Sequence, residues 1–141
     1  MADGRLPDHP MREQLWSQLS CCSAAEVKAK VVQASCDTAT IAALAPTVVD
    51  SAAAGLSEAE AIVTRSAVAL ARCAATVAGV LAMDHPRLVG HGGGLVHLRH
   101  FRRAVERAVQ QELGDVSWVS PAGDACQGAL AMAAKLHVTS G

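Results

Sequence analysis

Aromatic side chains are nearly absent from this chain of 141 residues, which has one Phe, two Trp and no Tyr. Such a chain offers few platforms on which nucleobases can stack. It also has no basic excess, because 12 Lys and Arg stand against 13 Asp and Glu, for a net charge of −1. The composition therefore excludes a typical nucleic-acid-binding protein.

Disulfide signals and membrane signals are missing as well. The five cysteines are odd in number and form no C-x-x-C pair, which fits reduced thiols better than a disulfide framework. No run of eighteen apolar residues lacks a polar interruption, and Met1–Arg5 is unlike a signal peptide. We therefore expect a cytoplasmic protein without a membrane partner.

Small apolar residues dominate what is present. Apolar residues make up 51% of the chain, most of them Ala and Val, and small side chains favour closely packed helices. The length suits one domain. Within it, the sequence predicts a polar lead-in over residues 1–9, a helical segment over 10–84 and a mixed segment over 85–141.

Capping signals divide the helical segment. Pro10 suits a first helical position, Ser23 and Glu26 have the spacing of a capping box, and Asp37 is a suitable N-cap. The predicted helices are Pro10–Leu19, Ala24–Gln33, Thr38–Leu44 and Pro46–Ala54, the last one ending at Gly55.

The longest predicted helix runs from Glu58 to Met83. Ser57 and Glu60 match a second capping box, and acidic residues in the first turn suit the helix dipole. Its expected buried stripe consists of Ile62, Ala67, Leu70, Ala74, Val77 and Leu81.

The C-terminal segment predicts a βαβα unit over residues 87–137, and so a helix-rich α/β fold. Arg87–Gly90 reads as a short buried strand and Val116–Val119 as a second strand. The helix between them has Leu98, Phe101, Val105 and Ala108 at spacings of three and four, and Gly114 ends it. Asp124 is the expected N-cap of the last helix, whose one side carries Ala125, Gly128, Ala129, Met132, Ala133 and Leu136.

Two small-residue loops follow the predicted strands. If the strands are parallel and joined by a right-handed crossover, Gly92–Gly94 and Pro121–Gly123 lie at the carboxyl ends of the strands, beside helix N-termini. Glycines without a Cβ permit positive φ and close approach of a ligand. The pattern fits a nucleotide site, and it fits ordinary tight turns of an α/β protein equally well.

In order and spacing, several stretches resemble the BadF/BadG-type ATPases of the N-acetylglucosamine kinase kind, in the sugar kinase, heat-shock ATPase and actin superfamily. The resemblance covers nearly the whole chain, as the C-terminal half of such a protein. The stretches that carry it are Ala2–Arg5, Ile41–Val49 with Ala52–Gly55, Arg87–Phe101 and Gly123–Ala131.

The resemblance implies the C-terminal part of an actin-like (ribonuclease H-like) ATPase lobe that forms the adenosine side of an ATP cleft. ATP with Mg²⁺ and an amino sugar would be the ligands in the full-length protein. The phosphate loops and the general base of the family are absent from this sequence, so no catalytic residue and no metal ligand is assigned. The implied cofactor-binding residues are Gly92, Gly93, Gly94, Gly123, Asp124 and Gly128.

An alternative of another class remains open. The chain is then a truncated, non-catalytic helical module that pairs with another copy or another chain through the apolar faces of Met11–Leu19 and Glu58–Met83. A missing N-terminal lobe or a homodimer would cover surfaces that the isolated chain leaves bare.

Other constellations favour structural roles. His91–Gly94 matches the H-G-G-G oxyanion loop of lipases, but no G-x-S-x-G elbow follows it. His91, His97 and His100 are interpreted as turn and surface histidines, since no cysteine lies near them in sequence. Cys73 and Cys126 are expected to be small buried hydrophobes. A solvated face is favoured over a phosphate grip for Arg99, Arg102, Arg103 and Arg107.

Overall fold

The computed structural model describes residues 9–33, 37–90 and 93–139. The lead-in before His9 and the Ala2–Arg5 stretch lie outside this part. The described elements, in chain order, are α1 (Pro10–Gln18), α2 (Ala24–Val32), α3 (Thr38–Ala42), α4 (Ala45–Ala53), α5 (Ser57–Val80), β1 (Arg87–Val89), α6 (Gly93–His97), α7 (Arg99–Leu113), β2 (Ser117–Val119) and α8 (Ala125–Thr139).

The helix-rich α/β class is confirmed by a small parallel sheet that accompanies the helices. β1 and β2 pair in parallel, with Leu88 opposite Trp118 in the register. The helices α6 and α7 lie between the two strands in the chain, as the predicted βαβ unit requires. β1 is not the buried strand that was expected, because Arg87 and Val89 are exposed and Leu88 alone is half-buried.

The core lies where α5 and α7 meet. On α5 the residues buried to 2% exposure or less are Ala59, Val63, Ala67 and Ala71. They face α7, whose buried residues are Ala104, Val105, Ala108 and Val109. Alanine carries no side-chain atoms beyond Cβ, so two helices lined with it can approach closely. Small residues at spacings of four therefore set this contact.

The predicted stripe of α5 was wrong in most of its members. Ala67 is buried and Ala74 half-buried, but the larger members are 37–63% exposed, namely Ile62, Leu70, Val77 and Leu81. The physical reason is the shape of α7. Its alanine face accepts the small residues of α5 at short range, which rotates the large ones away from the core.

The other predicted stripes agree better with the structure. Met11 is buried in the same core and Leu15 packs half-buried against it, and Leu19 is buried as well. On α7 the four predicted residues all face inwards, Leu98 and Phe101 being half-buried. Since the face of Met11–Leu19 is covered within the chain, it is not available for the pairing that the alternative interpretation gave it.

Three helices end in the same way, with one residue at positive φ. After α4, Gly55 has φ +94°, its N–H donates to the carbonyl of Ala52, and the N–H of Leu56 donates to that of Ser51. This is the Schellman motif, which satisfies carbonyls left free at a helix end. The motif recurs after α1 at Ser20 (φ 51°) and after α5 at Ala82 (φ 49°).

The capping box expected at Ser57 does not form. Leu56 is the N-cap of α5, and its carbonyl accepts from the N–H of Glu60. Leu56 also closes the preceding Schellman motif and packs against the core. These contacts fix the first residue of α5 at Ser57, one residue before the predicted start at Glu58. Ser57 donates instead to the carboxylate of Glu58 at 2.8 Å and lowers the pKa of that carboxyl. At Ser23 the N-cap half of the predicted box is confirmed, since the N–H of Glu26 donates to Oγ of Ser23, but the Glu26 carboxylate accepts from the N–H of Cys22 instead of that of Ser23. The N-cap at Asp37 is confirmed.

Exchanging residues at these helix ends should shift stability in opposite directions. Ala82→Gly should stabilise the fold by about 0.5–1 kcal/mol. The reason is that the strain of alanine at positive φ is larger than the conformational entropy that glycine loses on folding. Gly55→Ala should destabilise it by about 1–2 kcal/mol, although nothing lies within 4 Å of the added Cβ. Urea unfolding of both variants measures this, and a shift in the same direction for both would contradict the assignment.

The α5–α7 contact should resist enlargement. Ala67→Leu should lower the free energy of unfolding by about 1–3 kcal/mol, because it overfills a close helix contact. Ala69→Leu is the matched control on the exposed side of the same helix, and it should change stability by no more than about 0.5 kcal/mol. Equal effects of the two substitutions in urea unfolding would place the close contact elsewhere.

Candidate functional site

The parallel pairing of β1 and β2 brings the carboxyl ends of the two strands to one edge of the sheet. Val89 lies opposite Val119 at the last pair of the register. Because the strands run the same way, Gly90 and Ser120 follow them at that edge. This edge, with the first turns of α6 and α8, is the candidate site.

The first loop closes on an aromatic ring. A Cβ built on Gly90 would lie 3.1 Å from Cζ3 of Trp118, so the glycine lets the indole pass beside the backbone. Gly93 begins α6, whereas His91 and Gly92 lie outside the described residues. Trp118 is the residue that sequence reasoning missed here; the sequence placed it in the second strand but predicted no register, and the structure pairs it with Leu88.

Gly94 faces another part of the molecule. A Cβ on it would lie 3.6 Å from the Phe101 ring, which is ordinary contact. Gly94 also lines an apolar groove of about 320 Å³. The residues with it there include Ile41, Leu44, Val48, Ile62, Leu98 and Phe101. Of the implied cofactor residues, Gly94 therefore borders a space suited to an apolar group.

Three of the candidate glycines, Gly94, Gly123 and Gly128, have φ outside the left-handed region, whereas Gly55 and Gly114 adopt it. The prediction for Gly114, at the end of α7, is confirmed by its φ of +70°. Of the three candidates, the small size of glycine matters at Gly123, where an added Cβ would collide with Gln127.

The second loop ends in a complete capping box. Oδ1 of Asp124 accepts from the N–H of Gln127 at 2.8 Å, and Oε1 of Gln127 accepts from the N–H of Asp124 at 3.3 Å. A Cβ on Gly123 would lie 2.1 Å from that Oε1. The N-cap role predicted for Asp124 is confirmed, and Gln127 is the partner that sequence reasoning missed. Its signal was the N-cap plus three spacing of a capping box.

α8 extends from this loop with little cover. All side chains described between Cys126 and Ala134 are exposed, including Leu130 at 71% and Met132 at 69%. Nothing lies within 4 Å of a Cβ built on Gly128. Gly128 thus neither approaches another element nor needs to be glycine for the helix.

Charged side chains of α5 and α7 form pairs. Nε2 of His100 lies 2.6 Å from Oε2 of Glu60, which joins the two helices, and Arg102 pairs with Glu106 at 2.8 Å. His97 is exposed and His100 keeps 30% of its side chain exposed, so both lie at the surface, although His100 also has a partner on α5. Arg99, Arg103 and Arg107 are exposed on α7, as expected of a solvated face.

The remaining candidate residues are possible metal ligands and the cysteine thiols. Within residues 9–33, 37–90 and 93–139, no three His, Cys, Asp or Glu side chains come together as a metal group. Cys73 and Cys126 are free and exposed, so their expected burial was wrong. Cys73 is exposed because it lies on the side of α5 that the alanine contact turns outwards.

The first turn of α8 has an internal acceptor, since the carboxylate of Asp124 accepts from the N–H of Gln127. Residues 121–124 are small and exposed, and Trp118 is half-buried.

No protein-family model, curated protein or solved structure matches the chain.

In the part that the structure describes, α5 alone among the helices is long and apolar enough to cross a membrane. Core helices of soluble proteins meet the same criterion, and one face of α5 packs against α7.

Substitutions around the capping box should change α8 without unfolding the core. Gly123→Ala should loosen the first turn by about 0.5–2 kcal/mol, the usual cost of a lost cap, because the new Cβ displaces Gln127. Gly128→Ala, the matched control, should stabilise the helix by about 0.5–1 kcal/mol. Amide hydrogen exchange of α8 measures both, and slower exchange in Gly123→Ala would contradict the role of the box.

Proposed function

We propose that this chain forms the adenosine side of the ATP cleft of a cytoplasmic kinase that phosphorylates an amino sugar of the N-acetylglucosamine type. The observation that supports it best is the parallel pairing of β1 with β2. It places both small-residue loops at the carboxyl edge of the sheet, where nucleotides bind in open α/β folds. The sequence resemblance supplies the reaction class and the sugar.

In this proposal the chain binds and orients, and it carries no chemical step. Gly92 and Gly93 would border one side of adenosine, and Gly123 with Asp124 the other, whereas Gly94 lines the apolar groove and Gly128 lies within α8. Mg²⁺, the triphosphate and the sugar would belong to a facing lobe that supplies the phosphate loops and base. Phosphoryl transfer depends chiefly on such positioning and on electrostatic stabilisation. The free thiols among the described cysteines suit a reducing cytoplasm.

Tryptophan fluorescence offers a direct test. Trp118 lies beside Gly90 at the proposed site, and a Trp16→Phe background makes it the single reporter. Adenosine, ADP and ATP should quench it with dissociation constants within about threefold of one another, since the phosphates meet no partner on this chain; threefold is about 0.65 kcal/mol. The isolated chain should transfer no phosphate to N-acetylglucosamine. ATP binding that is far tighter than adenosine binding and dependent on Mg²⁺ would contradict the proposed side of the cleft.

A pair of variants on one segment locates the ligand. Gly93→Val should weaken adenosine binding at least about tenfold, or 1.4 kcal/mol, because two methyl groups would crowd the ligand at the start of α6. Arg103→Ala, on the exposed side of α7, should leave the affinity within about threefold, in line with a surface substitution. Equal affinities in Gly93→Val and the parent chain, with circular dichroism unchanged, would remove the nucleotide from this loop.

A further inference from the structure

A groove with a polar rim lies between α5 and α7. Its volume is about 240 Å³. The floor consists of three buried residues whose side chains are single methyl groups, namely Ala67, Ala104 and Ala108. Longer polar side chains form the rim, namely Glu60 and Thr64 on α5 and Arg107 and Gln111 on α7. We call this space the α5–α7 groove. It combines an apolar floor with polar groups from two helices.

Arg107 supplies the positive charge of the α5–α7 groove, and it also lines a wider space of about 530 Å³ on the surface of α7. The acidic residues of the two helices near it are engaged with other cations. The pairs are Glu60 with His100, Glu106 with Arg102 and Glu112 with Arg72. Among the residues that the structure describes, no carboxylate forms an ion pair with Arg107.

Other arginines of α7 increase the positive charge at this position. Arg103 lies one turn before Arg107 and lines the wider space with it, and it too forms no ion pair with a described residue. Arg99 lies one further turn away. Like charges four residues apart on a helix repel each other and destabilise the helix. An anion bound at Arg107 would offset this repulsion, so the charge distribution favours an anionic ligand.

The floor and the rim together select the kind of anion. A guanidinium group binds a carboxylate through two parallel hydrogen bonds. The alanine floor suits a short hydrocarbon tail, which gains free energy by leaving water, and it offers no donor to the further oxygens of phosphate or sulfate. We infer that the α5–α7 groove binds a short-chain carboxylate, with its carboxylate on Arg107 and its tail on the alanine floor.

The lining of the α5–α7 groove fits a nucleobase less well. Among the described residues, no aromatic side chain lines the groove or the wider space beside it, so a planar base has no ring on which to stack. The groove residues belong to α5 and α7, whereas the proposed nucleotide site lies at the sheet edge with α6 and α8. The inference is therefore independent of the proposed function.

Amide NMR of the full chain, titrated with sodium butyrate at constant ionic strength, tests the ligand class. Butyrate should shift the signals of Ala104, Arg107 and Ala108 saturably. Acetate lacks two methylenes of the tail, so it should bind at least about threefold more weakly. Butyramide has a similar shape without the charge, so it should bind at least about tenfold more weakly. Inorganic phosphate should also bind more weakly than butyrate.

Variants of α7 test the residue. Arg107→Gln should raise the dissociation constant for butyrate at least about tenfold, as loss of a charged hydrogen-bonding partner does. Arg107→Lys should weaken binding less, because it keeps the charge and loses the planar fork. Arg99→Gln is the matched control, since Arg99 is exposed on the same helix and lines neither space. It should leave the dissociation constant within about threefold. Circular dichroism checks that each variant is folded.

The outcomes separate a carboxylate site from general attraction to a basic helix. Saturable butyrate binding that Arg107→Gln weakens and Arg99→Gln spares supports the inference. Absence of saturable shifts in the folded chain overturns it. Acetate or phosphate binding as tightly as butyrate also overturns it, because the alanine floor then takes no part. Equal effects of Arg107→Gln and Arg99→Gln overturn it as well, because binding then reflects the net charge of α7 alone.

Discussion

The close contact between the alanines of α5 and the Ala–Val face of α7 is the constraint on which the rest of this structure depends. It allows two helices to meet with little side-chain volume between them. The contact carries α1 and α4 on one side and the short sheet on another, through Leu88 and Trp118. It also determines which side of α5 is left for solvent or for a partner.

The two-stranded sheet is supported by the same helical contact. The sheet has two strands, and their parallel pairing is held from one face by the helical core. The parallel pairing brings the carboxyl ends of β1 and β2 to one edge of the sheet, and local contacts determine how the residues that follow are packed. Gly90 makes room for an indole ring, and Gly123 makes room for the Gln127 amide.

The exposed side of α5 follows from the same contact. Large aliphatic residues of α5, such as Leu70 and Val77, are exposed because smaller ones occupy the core.

Local signals in the sequence determined the helix starts at Pro10, Ser23 and Asp37, the end at Gly114 and both strands, since caps, turns and short apolar runs act on neighbouring residues. The buried stripe of α7 could also be predicted from the local sequence, because one face of that helix is plainly apolar. The tertiary structure alone decided which face of α5 is buried, since α5 is apolar on several sides and shape complementarity with α7 chooses between them. It also decided the start of α5 at Leu56, the pair of His100 with Glu60 and the exposure of Cys73. Each of these depends on contacts with residues that are distant in the sequence, and local residue patterns do not specify such contacts.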